Sequence, residues 1–249
     1  MATAYIALAL GALAGCAAAH GTVTNFTTDG KVNGGFLIDY YYEKQNTGSF
    51  PDVAGWYAEN LDLGFVAPND FGTSDINCHI NSEPGAITAS VSAGGTVKFQ
   101  WSNWPHGIGP MLTYIAACNG DCAEADKSSL EWVKIDESGI DYDTQVWASQ
   151  AMIDAGNAWT TKVPANLKAG NYVFRHETIA LHGGGSANGA QAYPQCINIA
   201  VTGSGTVGLP SGTLGVDLYK ADDPGILFNP YTTITEYVIP GPALWTGAS

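Results

Sequence analysis

The stretch Thr96-Val97-Lys98-Phe99-Gln100-Trp101 alternates strictly, with Val97, Phe99 and Trp101 apolar and Thr96, Lys98 and Gln100 polar. Successive side chains of a strand point to opposite faces, so this period of two predicts a strand with one face in a core and one in water. Gly94-Gly95 ahead of it marks a turn. Working outward, β-like runs recur at 87–91, 111–117, 130–135, 171–175 and 196–201, with a further turn at Ala169-Gly170-Asn171. One segment, 145–155, reads as a helix, with Thr144 as N-cap and Gly156 as its stop. There is no linker-like Ser/Thr/Pro-rich stretch and no internal repeat. The expectation is one all-β domain, an antiparallel β-sandwich with long loops and little helix. The loops at 40–66 and 203–242 are where function is expected to sit.

Composition agrees and narrows the function classes. The 249 residues carry 31 Gly, 12 Pro and 11% aromatic side chains, a loop-rich β composition. Nine Lys+Arg against 23 Asp+Glu give a net charge of −14, a surface that repels phosphate. Nucleic acid and an anionic membrane face are therefore excluded as partners.

Residues 1–19 carry no charged side chain, hold a short apolar run at 5–13 and end in Ala17-Ala18-Ala19. This reads as a secretory signal peptide, removed to leave a mature chain at 20–249 that begins with His20. The rival reading is a bacterial lipobox at Leu13-Ala14-Gly15-Cys16, but Asn25-Phe26-Thr27, an N-glycosylation sequon at Asn25, favours a eukaryotic secretory route. Of the five cysteines, Cys16 leaves with the signal, so Cys78, Cys118, Cys122 and Cys196 remain. An even number in a secreted chain implies two disulfides, with three possible connectivities.

The histidines carry the chemistry. A mature N-terminal His20 offers its α-amine and its own ring nitrogen to one metal, and the amine titrates low enough to be freed at modest cost. A second histidine from elsewhere would complete three nitrogens in a T, an arrangement that suits Cu(II), with Zn²⁺ as the rival.

The motifs then fall into one pattern: His20-Gly21-x-Val23, Asn77-Cys78-His79, Trp104-Pro105-His106, Gly170-Asn171-Tyr172-Val173-x-Arg175-His176-Glu177, Ala180-Leu181-His182, the run from Gly189 through Gln191 and Tyr193-Pro194 to Cys196, Asp223-Pro224-Gly225-Ile226 and Ile239-Pro240-Gly241-Pro242. In this order, over nearly all of the mature chain, they resemble the fungal lytic polysaccharide monooxygenases of auxiliary activity family 9. The resemblance implies an immunoglobulin-like or fibronectin-like β-sandwich. It implies one copper ion held by the amine and ring of His20 and by His106, with Tyr193 at the axial position and His182 and Gln191 beside the open side of the metal. It implies disulfides Cys78–Cys196 and Cys118–Cys122. It implies a secreted, monomeric enzyme without an appended carbohydrate-binding module. That enzyme would cleave cellulose oxidatively at C1 and/or C4 of glucose, using O₂ or H₂O₂ and a small-molecule or protein electron donor. The loop His106-Gly107-Ile108-Gly109-Pro110 departs from the family pattern by two extra residues.

Sugar faces stack on aromatic rings, so a flat docking surface needs exposed aromatics. Tyr231 matches the family's surface tyrosine near copper. Tyr41, Tyr42, Trp56 and Tyr57 are further candidates, with Tyr42 the one carried forward. His79 and His176 read as structural histidines. Two other functions stand beside the oxidative one: a hydrolase using a carboxylate pair such as Glu59 and Asp62, and a non-catalytic secreted protein that binds copper or carbohydrate.

Overall fold

The structure, a computed structural model, describes residues 20–248; the signal peptide expected at 1–19 lies outside the described residues. In chain order the elements are β1 (Val23–Thr28), β2 (Lys31–Gly34), α1 (Ile38–Thr47), α2 (Asp75–Cys78), β3 (Ala89–Ser92), β4 (Thr96–Trp101), β5 (Met111–Ala117), β6 (Glu131–Ser138), β7 (Ile140–Asp141), β8 (Val146–Trp147), α3 (Ala148–Asp154), β9 (Ala158–Lys162), β10 (Gly170–Ala180), β11 (Gln191–Ala192), β12 (Gln195–Thr202) and β13 (Thr213–Leu214). One sheet runs β2-β1-β4-β9, a second runs β13-β6-β5-β10-β12-β3 with β11 on β10, and β7 and β8 form a separate two-stranded pair. Pairing is antiparallel except for β12 with β3. Two sheets enclosing one core make the expected sandwich, and the strand alternation read at 96–101 places Val97, Phe99 and Trp101 inside it.

The larger sheet is covered on both faces. Along β10, Tyr172 and Phe174 enter the core between the sheets, while Val173 and Ile179 enter a second core roofed by Ile76 of α2 and by loop residues such as Phe71, Tyr219 and Tyr237. On that outer face Arg175 and Glu177 form a fully buried ion pair, closed by Tyr219, whose hydroxyl bonds the Glu177 carboxylate and the Tyr114 hydroxyl. On the inner face His176 stacks on Phe99 at 4.0 Å and its Nδ1 bonds Thr113 Oγ1 at 3.0 Å, so this histidine is a core residue.

Two expectations differ in detail, and two strands lie outside those expected. The helix near 145–155 starts only at Ala148, because Gln145 sits at φ +58° and its amide bonds Ile234 N and O in a distant loop, while Val146–Trp147 pair with β7. Gly156, at φ +77°, does end that segment. The loop at 40–66 opens inside α1, which ends at Gly48 in the left-handed region, φ +84°. Strands β1 and β9 escape a period-two reading. β1 is bulged between Val23 and Asn25, putting Val23 and Phe26 on one face. β9 buries the polar Thr161, which bonds Asp136 and Thr113. The two disulfides are Cys78–Cys196, tying α2 to β12, and Cys118–Cys122, closing a short loop after β5.

Candidate metal centre

His20 lies just before β1, on a segment tied to two others. Thr22 N donates to Ser102 Oγ at 3.1 Å and Thr22 Oγ1 to Gln195 Oε1 at 2.6 Å. His106 follows β4, and its carbonyl accepts the Trp104 indole N–H at 2.8 Å. The loop after it acts as a strut: Ile108 O accepts from Leu181 N beyond the end of β10, and Gly109 O from Ser149 N in α3. Tyr193 follows β11, with its ring fully buried, its N–H on Thr178 O and its hydroxyl donating to Gln191 Oε1 at 2.8 Å.

These far-separated segments bring three rings together. The centroids of His20 and His106 are 5.7 Å apart, those of His20 and Tyr193 5.9 Å, and those of His106 and Tyr193 6.4 Å. His182 stacks face to face on His106 at 4.2 Å and 16°. Ring lone pairs lie in the ring plane, so stacked rings point theirs side by side, and His182 is not placed to share an ion with His106. His20 and His106 are tilted by 46°. An ion about 2 Å from a nitrogen on each sets opposed centroids roughly 6 Å apart, and this pair fits it. Among the described residues no three His, Cys, Asp or Glu side chains converge for a metal. His20 carries a backbone nitrogen on the same residue as its ring, which processing before His20 would free as an amine. The donor set therefore fits a metal that accepts two imidazoles and an amine, as Cu(II) does.

The electrostatics keep the Tyr193 phenol neutral. Burial, then the nearby Asp62 carboxylate, pushes the Tyr193 hydroxyl far above the ordinary tyrosine range, so it stays protonated. Burial, then the charge of His20, pulls His182 down, and its Nδ1 is buried with no hydrogen-bond partner among the described residues. Tyr231 is 68% exposed and donates its hydroxyl to His182 O at 2.9 Å, which sets its ring beside the centre. Tyr42 is 51% exposed on α1, edge-on to Tyr41 at 5.2 Å. Trp56 and Tyr57 are corrections: both are buried, Trp56 bonding Asn198 Oδ1 and Tyr57 bonding Glu59, so neither is available to a sugar. Asn25 lies on β1, partly exposed, with its amide on Thr24 Oγ1.

Glu59 fails as a general acid. Hydrogen bonds from Asn81 and Tyr57 hold its carboxyl below the ordinary range, whereas a catalytic acid needs its pKa raised. Sequence reasoning missed Phe65, whose edge meets His20 at 6.0 Å and whose ring lies 6.0 Å from Tyr193. No spacing links it to His20. Its neighbour Gly64 is held through its carbonyl by His79 Nε2 at 2.9 Å, which gives that structural histidine its use.

The model of Auxiliary Activity family 9 (formerly GH61) matches residues 20–237. The chain is 61% identical over 244 residues to AA9 family lytic polysaccharide monooxygenase cel61B of Hypocrea jecorina (strain QM6a), covering 97% of this chain and 98% of that one. It is 55% identical over 228 residues to AA9 family lytic polysaccharide monooxygenase D of Botryotinia fuckeliana (strain B05.10), covering 92% of each. Among solved structures, Cel61B from Hypocrea jecorina, a glycoside hydrolase family 61 member, matches with a TM-score of 0.90 at 62% identity, over 91% of this chain and 100% of that one. A cellulose-active polysaccharide monooxygenase from M. thermophila matches with a TM-score of 0.76 at 30% identity, over 91% of this chain and 99% of that one. With fold, motif order and near full-length identity in agreement, the chain belongs to Auxiliary Activity family 9 and is a monooxygenase, an oxidoreductase.

Proposed function

We propose that the mature chain, beginning at His20, is a secreted and monomeric copper enzyme that oxidatively cleaves the β-1,4-glucan chains of cellulose at C1 and/or C4. It draws on O₂ or H₂O₂ and an external small-molecule or protein electron donor. The observation that carries this is the pair of tilted imidazoles of His20 and His106 with the buried, neutral phenol of Tyr193 beside them. The cellulose-active M. thermophila relative supports the substrate class. No helix among the described residues is long and apolar enough to cross a membrane. A glycan on Asn25 belongs to the same secretory route.

His20, through amine and ring, and His106 would hold the ion, with the Tyr193 hydroxyl beside them. Copper, when bound, supplies the one-electron chemistry with oxygen that no side chain offers. The chain supplies geometry. Gln191 Oε1 accepts from Tyr193, so its Nε2 is the end left to donate toward a ligand. His182, kept neutral by burial, would offer the same ligand a ring nitrogen as hydrogen-bond donor or acceptor. Tyr231 offers its exposed ring face to a glucosyl unit while its hydroxyl stays anchored on His182 O. Tyr42 extends the aromatic surface from α1.

The test loads the processed protein with copper, adds ascorbate and swollen cellulose, and reads products by mass spectrometry. Aldonic or 4-keto oligosaccharides are expected, and they should vanish with a chelator or when one residue is added before His20. Products carrying no oxidation would overturn the proposal.

A further inference from the structure

One buried indole touches all three segments that carry the proposed copper contacts. Trp104 is 2% exposed. Its Nε1–H donates to the His106 carbonyl at 2.8 Å. Its ring meets the His106 ring edge-on at 5.3 Å and 85°, and the Tyr193 ring at 4.7 Å and 88°. Its third neighbour is the residue after His20: a Cβ on Gly21 would stand 3.0 Å from Trp104 Cε3 and 2.9 Å from Ser102 Oγ. Glycine at 21 thus lets the backbone carrying His20 lie against the indole. The indole is fixed from behind as well, with Trp104 N donating to Asn157 Oδ1 at 3.2 Å and Trp101 packed on it at 5.1 Å.

Resting on the copper reading above, we propose that Trp104 is the positioning residue of the centre. It sets the separation and tilt of the His20 and His106 rings and seats Tyr193 beneath them. Two forces act through it. Edge-to-face contacts fix ring orientation without filling a coordination position. The indole N–H fixes the His106 backbone, so the imidazole leaves a defined point and does not swing with its loop. Support of this kind around ligands changes metal affinity by about 10–100-fold when removed. Trp104 does not need to touch substrate or oxidant to do this.

The test uses protein processed to begin at His20, loaded with Cu(II). Trp104→Phe keeps an aromatic ring and removes the N–H donor. Gly21→Ala leaves the indole intact and presses its Cβ against it from the His20 side. Phe99→Leu is the control: Phe99 is equally buried and stacks on His176, away from the centre. Three quantities are read for each: Cu(II) affinity by competition titration, the electron paramagnetic resonance spectrum, and the metal-free melting temperature. Trp104→Phe and Gly21→Ala should each weaken Cu(II) binding by about tenfold and shift the copper hyperfine coupling. Phe99→Leu should lower the melting temperature and leave affinity and spectrum as in the parent. A Trp104→Phe protein with parental affinity and spectrum overturns the proposal, and if that variant does not fold, the same result from Gly21→Ala does so. A parent protein without a three-nitrogen copper spectrum overturns the copper reading itself, a separable outcome.

Discussion

Tyr231 shows how one exposed side chain is held in place. A tyrosine 68% exposed would ordinarily sample several rotamers, but its hydroxyl bonds His182 O and its backbone N–H bonds Asn229 Oδ1. The ring is held ready, so little rotamer entropy is lost on docking. Tyr231→Ala should weaken adsorption to cellulose by about 1 kcal/mol, roughly fivefold in the binding constant. Tyr231→Phe, which keeps the stacking face and loses only the anchor, should lose less. Adsorption isotherms of the two variants check this; equal losses would show that the ring is not what binds.

Strand β10 works as an element because each of its faces has a different burden. The odd residues Arg175 and Glu177 hold the loop layer, and the even residue His176 sits between the sheets. The sequence run Arg175-His176-Glu177 thus sends its charges to one side and a neutral ring to the other. Burial pushes His176 down to about 3 and, in the turn after α2, His79 down to about 4. In the unfolded chain both titrate near about 6.5. Above that value neither state binds the proton, and these rings add no pH dependence. As pH falls below it, the unfolded chain takes up protons that the folded chain refuses. Stability is then lost progressively, by up to about 1.4 kcal/mol per pH unit for each ring, until the folded values are reached. Urea midpoints should therefore fall between pH 7 and pH 5, and His176→Gln should flatten that slope. An unaltered slope in the variant would remove His176 as its source.

At the scale of the whole molecule, two sheets and a roof of loops are stapled at very different lengths. Cys78–Cys196 spans 118 positions and Cys118–Cys122 only 4. Loop-closure entropy gives about 5 kcal/mol for the long bridge and about 2 kcal/mol for the short one. Denaturant unfolding of Cys78→Ser/Cys196→Ser should show the larger loss, and Cys118→Ser/Cys122→Ser the smaller. Equal losses would show that loop length does not govern here. The long bridge ties α2 to β12, next to Gln195, which in turn holds Thr22 beside His20, so the staple and the segment carrying His20 share one strand end.

Much of this was legible before any coordinates. The alternation at 96–101, the even cysteine number and the ordered motifs around His20, His106, His182 and Tyr193 are local chemistry, and local chemistry is written in local sequence. What stayed hidden depends on contacts between segments far apart. The β1 bulge and the buried Thr161 obscure a period-two pattern, because the pairing partner decides which face is inside. Gln145 leaves the helix because its amide finds Ile234. Phe65 and Trp104 join the centre only when a loop and a strand end close on His20. The sequence alone determined the sandwich, the crosslinking chemistry and the kinds of group that could hold copper. Only the tertiary structure decided their separations and tilts and the buried indole against them, because such geometry is set by long-range packing rather than by the spacing of residues along the chain.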